Sequence, residues 1–222
     1  MDFTWDFSVI LQNWPVLLRG VGVTAGLWAV AFPAAMLVGV LIALGARSGN
    51  RWVGAAARGY MELFRNIPIL IQLVWFFYAF PIVTGIQLSP YVAALLALTL
   101  NASAYCSEIF RGGIASLPKG QWEGALAIGM QRTQVLRRVV LPQVLKRMLP
   151  AFTNRGIELA KNTSVASVIA VHELMYQGRA LSAVSYRPLE MLTAVAVIYF
   201  VLIYPGAWAA GRLEKRLALR SN

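Results

Sequence analysis

The stretch EGALAIGMQRTQVLRRVVLP, Glu123 to Pro142, decides how the rest of the chain is read. It is polar, basic and helix-patterned, yet it sits between segments apolar enough to live in lipid. Trp122, Leu126, Gly129 and Met130 recur at i, i+4, i+7 and i+8, which predicts an amphipathic helix starting at Gln121. The break LPKGQ precedes it, and Glu123 falls in the first turn, where a negative charge suits the helix dipole. Gly124 and Gly129 would each cost about 1 kcal/mol relative to alanine inside a helix, which points to close backbone approach or a bend. Leu141-Pro142 reads as the stop before the next element.

Outward from this stretch, charge vanishes. The 222 residues are 59% hydrophobic and 13% charged, with mean hydropathy +0.63, too apolar for a soluble domain of this size. Between Arg19 and Arg47 lie 27 uncharged residues; between Arg65 and Glu108 lie 42, broken by Pro81, Thr84-Gly85 and Ser89-Pro90; Met191 to Gly211 gives 21 more. With about 20 residues per crossing, the spans are 20–46, 60–83, 90–112 and 191–211, plus a more polar span at 148–171, with a cytoplasmic loop at 113–147. The fold class is all-α: a single polytopic membrane domain of five transmembrane helices. Phe3, Phe7, Ile10, Leu11 and Trp14 suggest a surface helix before the first span.

The net charge of +11 is concentrated in loops, which argues for membrane orientation and against nucleic acid. With five spans, fifteen of the twenty Lys and Arg fall on one side, three on the other and two inside span four. That places the N-terminus outside and the C-terminus in the cytoplasm. The first eighteen residues hold no Lys or Arg, unlike a cleavable signal peptide.

One cysteine, Cys106, and one histidine, His172, leave little for disulfide, metal or His-based chemistry. The charges inside span four matter more, since each costs about 2.5–3.5 kcal/mol at the bilayer centre and is a functional candidate by default. Asn154, Arg155, Glu158, Lys161 and Asn162 form one polar stripe, with Glu158 and Lys161 spaced to pair. It suits a translocation path, Glu158 meeting an ammonium and Arg155, Lys161 and Asn162 a carboxylate; a helix–helix salt bridge is the structural alternative. Asn101 in span three and Ser164 are further path candidates. Glu108 with Arg111, and Glu62 with Arg65, are spaced for local ion pairs. His172 and Glu173 fit a solvated loop as well as a gate.

Glu123, Ala125, Gly129, nine residues, then Val139-Val140-Leu141-Pro142 resembles the EAA loop of ABC-importer permeases, with Gly124 in place of the first Ala of Glu-Ala-Ala. ELFRNIPILIQ (62–72), AYCSEIFRGGI (104–114) and KNTSVASVI (161–169) are similar to the polar amino-acid uptake subfamily. The resemblance implies a permease in the bacterial inner membrane. It implies partnership with an ABC ATPase dimer, a second permease subunit (identical or related), a solute-binding protein and a polar amino acid, with glutamate or aspartate a candidate. It assigns ATP and magnesium to the ATPase and none to this chain, which lacks a phosphate-binding Gly-x-x-x-x-Gly-Lys-Ser/Thr loop. The loop helix, Gln121, Trp122, Glu123, Ala125, Leu126, Gly129 and Met130, would dock into that ATPase, its apolar stripe as the docking face. An ion-gradient-driven secondary carrier is the alternative class, though five spans without inverted repeats is small for one. An intramembrane enzyme lacks the residues.

Overall fold

The computed structural model describes residues 4–218, and among them every regular element is helical. Phe3 of the expected surface helix lies outside the described residues. What remains of it, α1 (Ser8–Gln12), is barely more than a turn, because the chain re-enters a helix immediately after Asn13. Ile10 is tucked against the apolar cluster around Leu17 and Leu174, while Leu11 is exposed.

The long α2 (Trp14–Ala46) buries Gly20, Thr24, Leu27, Ala31, Ala35, Gly39 and Ala43, nearly one every fourth residue. Gly20 and Thr24 meet Leu174, and from Leu27 on the row packs against α6 (Pro90–Ala115), whose buried face is also small: Ala93, Ala94, Ala97, Ala102 and Cys106. Lipid is as apolar as leucine, so burial adds little; close backbone approach and dispersion hold such helices together. Contact is tightest at Gly39, where an added Cβ would lie 2.7 Å from Cys106 Cβ and 3.0 Å from the Ser103 carbonyl oxygen.

The expected second span, 60–83, does not run straight. α3 (Arg51–Asn66) is strongly amphipathic and ends at Ile67-Pro68, and the chain then turns by 105° into Ile69–Thr84. Proline disfavours helical geometry in the residue before it, and Ile67 is extended at φ −90°, ψ 128°. The second limb comprises α4 (Ile69–Val74), a π-type turn at Trp75–Ala79 and α5 (Phe80–Thr84), which Gly85 ends at φ +73°. The bend is stapled by Gln72, whose side-chain amide donates to the carbonyls of Phe64 (2.9 Å) and Ile67 (2.7 Å).

After α6 come α7 (Lys119–Ala127), α8 (Arg132–Gln134), a π-type turn (Val135–Val140) and α9 (Leu141–Asn162). Leu141-Pro142 is therefore not a stop: helix continues through it. Proline removes one backbone hydrogen bond and crowds the preceding turn, and the widened turn just before it takes up that mismatch. A 3-10 segment (Thr163–Ile169), α10 (Leu174–Ser185) and α11 (Pro188–Ala218) complete the chain. Among the described residues, α2, α6 and Pro188–Leu213 of α11 are long and apolar enough to cross a membrane alone, with the bent pair α3–α4/α5 a fourth candidate. α9 is too polar for that measure, yet it packs against α2, α6 and α11.

Candidate functional site: a buried arginine, a polar row and a loop helix

The polar stripe of α9 divides in two. Asn154, Glu158 and Lys161, at i, i+4 and i+7, are exposed along one face, with Asn162 and Ser164 half-buried beside them. Arg155 turns the other way and is only 4% exposed. Its Nη2 donates to Asn101 Oδ1 at 2.8 Å, and its guanidinium carbon sits 4.0 Å from the Tyr105 ring centroid. A cation over an aromatic face and a neutral amide acceptor together replace part of the lost hydration. Nη1 reaches Glu158 Oε2 at 2.9 Å. Glu158 thus pairs with Arg155, not with Lys161 as its spacing suggested, because Arg155 is anchored from α6 and Lys161 lies a turn further along.

Asn101 also departs from expectation. It is 6% exposed, and its Nδ2 donates 2.8 Å to the Phe64 carbonyl, the same oxygen that Gln72 caps at the bend. Its side chain is committed to structure. Tyr105 continues the network, its hydroxyl donating to the Arg65 carbonyl at 3.2 Å. Arg65 pairs with Glu108 at 3.3 Å across two helices, while Glu62 accepts from Asn66. The expected Glu62–Arg65 pair is replaced, because the helix ends at Asn66 and α6 offers Glu108 instead. The expected Glu108–Arg111 pair is present, at 2.7 Å.

Lys161 and Ser164 border an open cleft of about 420 Å³ between α9 and α11, opposite Tyr199 and Tyr204. The Ser164 hydroxyl donates to the Lys161 carbonyl at 2.8 Å. Nearby, Glu173 is not solvated: it is fully buried and caps α10 by accepting from the Met175 and Tyr176 amides at 2.9 and 2.7 Å. It also accepts from the Tyr199 hydroxyl at 2.7 Å. Glu190 is buried as well, accepting from the Asp6 amide and from Arg187. Sequence reading missed both. An acidic residue directly before a helix-patterned run was the legible signal for Glu173.

The loop helix α7 is shorter than expected, and Gly129 is not inside it. Gly129 adopts φ +85° just beyond the helix end, the left-handed terminating position that glycine occupies without strain. The apolar stripe is split: Leu126 and Gly129 are exposed, while its other two members are not free. Trp122, Ala125 and Met130 turn inward against a core of Val135, Val140 and Val144. Gln121, Glu123, Gly124, Leu126 and Ile128 are exposed, with Ile128 at 79%. Gln121 accepts a hydrogen bond from the Gln143 amide at 3.2 Å, and Arg147 donates to the Ser116 carbonyl at 2.6 Å, fixing the loop to α9. The inward turn of Trp122, Ala125 and Met130 has a simple cause: the π-type turn and α9 supply an apolar partner within the chain. Ile128, outside the expected set, lies at the end of the loop helix and is more exposed than Leu126 within it.

Residues 18–219 match the model of the family described as binding-protein-dependent transport system inner membrane component. The glutamine transport system permease protein GlnP of Escherichia coli strain K12 is 34% identical over 99% of this chain and 100% of its own length. The arginine permease ArtQ of Bacillus subtilis strain 168 is 32% identical, covering 96% and 97%, and the L-cystine permease TcyB of the same strain 35%, covering 96% and 91%. A solved amino acid ABC transporter with histidines superposes with TM-score 0.90 at 32% identity, covering 96% of this chain and 100% of that one.

Proposed function

This chain belongs to the binding-protein-dependent transport system inner membrane component family as the permease subunit of an amino-acid ABC importer, and from that premise we propose where its substrate and its motor act. ATP is hydrolysed by a separate subunit, so this chain is not an enzyme, and its work is done in the bacterial inner membrane. Family membership disfavours the ion-driven carrier.

Substrate passes along the exposed row Asn154, Glu158 and Lys161 and the adjoining cleft. This is the observation that carries the reading: an exposed carboxylate, held by Arg155 from behind, and an exposed ammonium share one face of a helix packed among the apolar spans, where solvation by lipid would be costly. The relatives are named for glutamine, arginine and cystine, which share an α-ammonium and an α-carboxylate. Glu158 meets the first and Lys161, with Ser164 and Asn162, the second; glutamate and aspartate carry the same head. Arg155 and Asn101 act behind the row, Arg155 aiming the Glu158 carboxylate.

On the basic side of the bundle, taken as cytoplasmic with the N-terminus outside, α7 receives the ATPase. Leu126, Ile128, Glu123 and Gln121 form the docking face, and Trp122, Ala125 and Met130 pass its movement into α9 through the core they share. A second permease subunit completes the path over five crossings. The test is uptake in vesicles holding the whole importer: Glu158→Gln and Lys161→Met each impair uptake at undiminished assembly. Normal uptake by both would move the path elsewhere.

A further inference from the structure

A second groove lies between α2, α9 and α11, with a volume of about 610 Å³, and it does not suit the amino-acid cargo. Its walls are carbon: Trp28, Phe32, Leu149, Phe152 and Ile203 are prominent. The few polar groups on it are already used. The Trp28 indole N–H donates to the Gly156 carbonyl at 2.8 Å, and the Thr153 hydroxyl to the Leu149 carbonyl at 2.7 Å. The Thr24 hydroxyl accepts from the Leu174 amide at 3.2 Å. A zwitterion entering here would lose its hydration with nothing in return.

The groove is long and narrow in origin. It runs from Thr24 to Met36 on α2 and from Ala160 back to Leu149 on α9, about 16–18 Å at 1.5 Å per residue. That is close to one leaflet of a hydrocarbon core about 30 Å thick. At its basic end, one helical turn past Leu149 and Ala209, stand Lys146 and Arg212 on neighbouring helices, both exposed. Arg212 lies flat over the Trp208 ring, its guanidinium carbon 3.8 Å from the centroid, an interfacial aromatic–cation arrangement. An apolar slot one leaflet deep with cations at its mouth matches one ligand chemistry.

We propose that this groove is a binding site for an anionic phospholipid, an acyl chain lying along Trp28 and Phe32 and the headgroup phosphate meeting Lys146 and Arg212. The site goes beyond the transport reading and does not depend on where the substrate path lies. A lipid seated there touches α9 at Phe152, Thr153 and Gly156 and so supports the helix that carries Arg155.

The test uses the full-length chain in phosphatidylethanolamine vesicles doped with phosphatidylglycerol that carries a photoreactive diazirine on one acyl chain. Label is expected on peptides from residues 24–36, 149–160 and 202–209, competed by excess phosphatidylglycerol but not by phosphatidylethanolamine. Gly206→Leu should cut it several-fold; a Cβ at Gly206 meets no heavy atom within 4 Å, so the variant can fold. The pair Lys146→Gln, Arg212→Gln should keep labelling but lose the preference for phosphatidylglycerol. Label spread evenly over the outer faces of α2 and α11 and indifferent to these changes would overturn the site. So would crosslinking of Gly206→Cys between two copies of the chain, which would mean a second subunit fills the groove.

Discussion

Arg155 Nη2 lies 2.8 Å from Asn101 Oδ1, and both side chains are buried between α9 and α6. Asn101 in turn holds the Phe64 carbonyl at the 105° bend, so one amide joins three parts of the fold. Replacing it removes one of the three contacts that hold the Arg155 guanidinium, leaving Glu158 and Tyr105. Asn101→Leu is expected to destabilise the chain by about 1.5–3 kcal/mol, the usual worth of a hydrogen bond to a charged group. Arg155→Lys keeps the charge but loses the planar stack on Tyr105 and is expected to cost less. Thermal melting of the purified chain in detergent checks both; an unchanged Tm for Asn101→Leu would show that the network carries no stability.

The close approach at Gly39 gives a second expectation. Gly39→Leu must push α2 off α6, because the added Cβ meets Cys106 Cβ and a backbone carbonyl. Overpacking of this kind costs about 1–3 kcal/mol. Gly22→Leu, with nothing within 4 Å, should melt as the parent does.

Gly129 and Gly124 look alike in the sequence and should behave differently. Gly129→Ala places a Cβ at φ +85°, costing about 1–2 kcal/mol locally. Gly124→Ala lies inside α7 with open space around it, and should be neutral or stabilise by up to about 1 kcal/mol. Limited proteolysis of the 116–134 loop is the readout: faster cleavage for Gly129→Ala, equal or slower for Gly124→Ala.

For the docking face, Ile128→Asp and Leu126→Asp should abolish co-purification of the ATPase subunit while the permease alone melts normally, since both side chains are exposed. Trp122→Ala should instead lower the melting temperature of the permease, having removed a half-buried ring from the core around Val140. If Trp122→Ala alone weakened the ATPase contact and Ile128→Asp did not, the outward face would be assigned wrongly.

Much of this protein could be read before any coordinates. Uncharged runs around Leu27, Leu98 and Val201 require lipid or a deep core, whatever they pack against, because the cost of hydrating them is a property of the side chains. The polar loop helix and the charge at Glu158 were legible for the same reason: periodicity and Born cost are local. The partners of the charges were not. Spacing allowed Glu158 to pair with Lys161 and Glu62 with Arg65, yet Glu158 pairs one turn back with Arg155, which Asn101 of α6 holds in place, and Arg65 pairs across helices with Glu108. Which face of α7 is free, that Asn101 braces a bend, and that Glu173 is a buried cap all depend on what another element places opposite them. Sequence spacing fixes which residues share a face; only the packed fold decides what that face meets, because contacts between distant segments carry no signature in either segment alone.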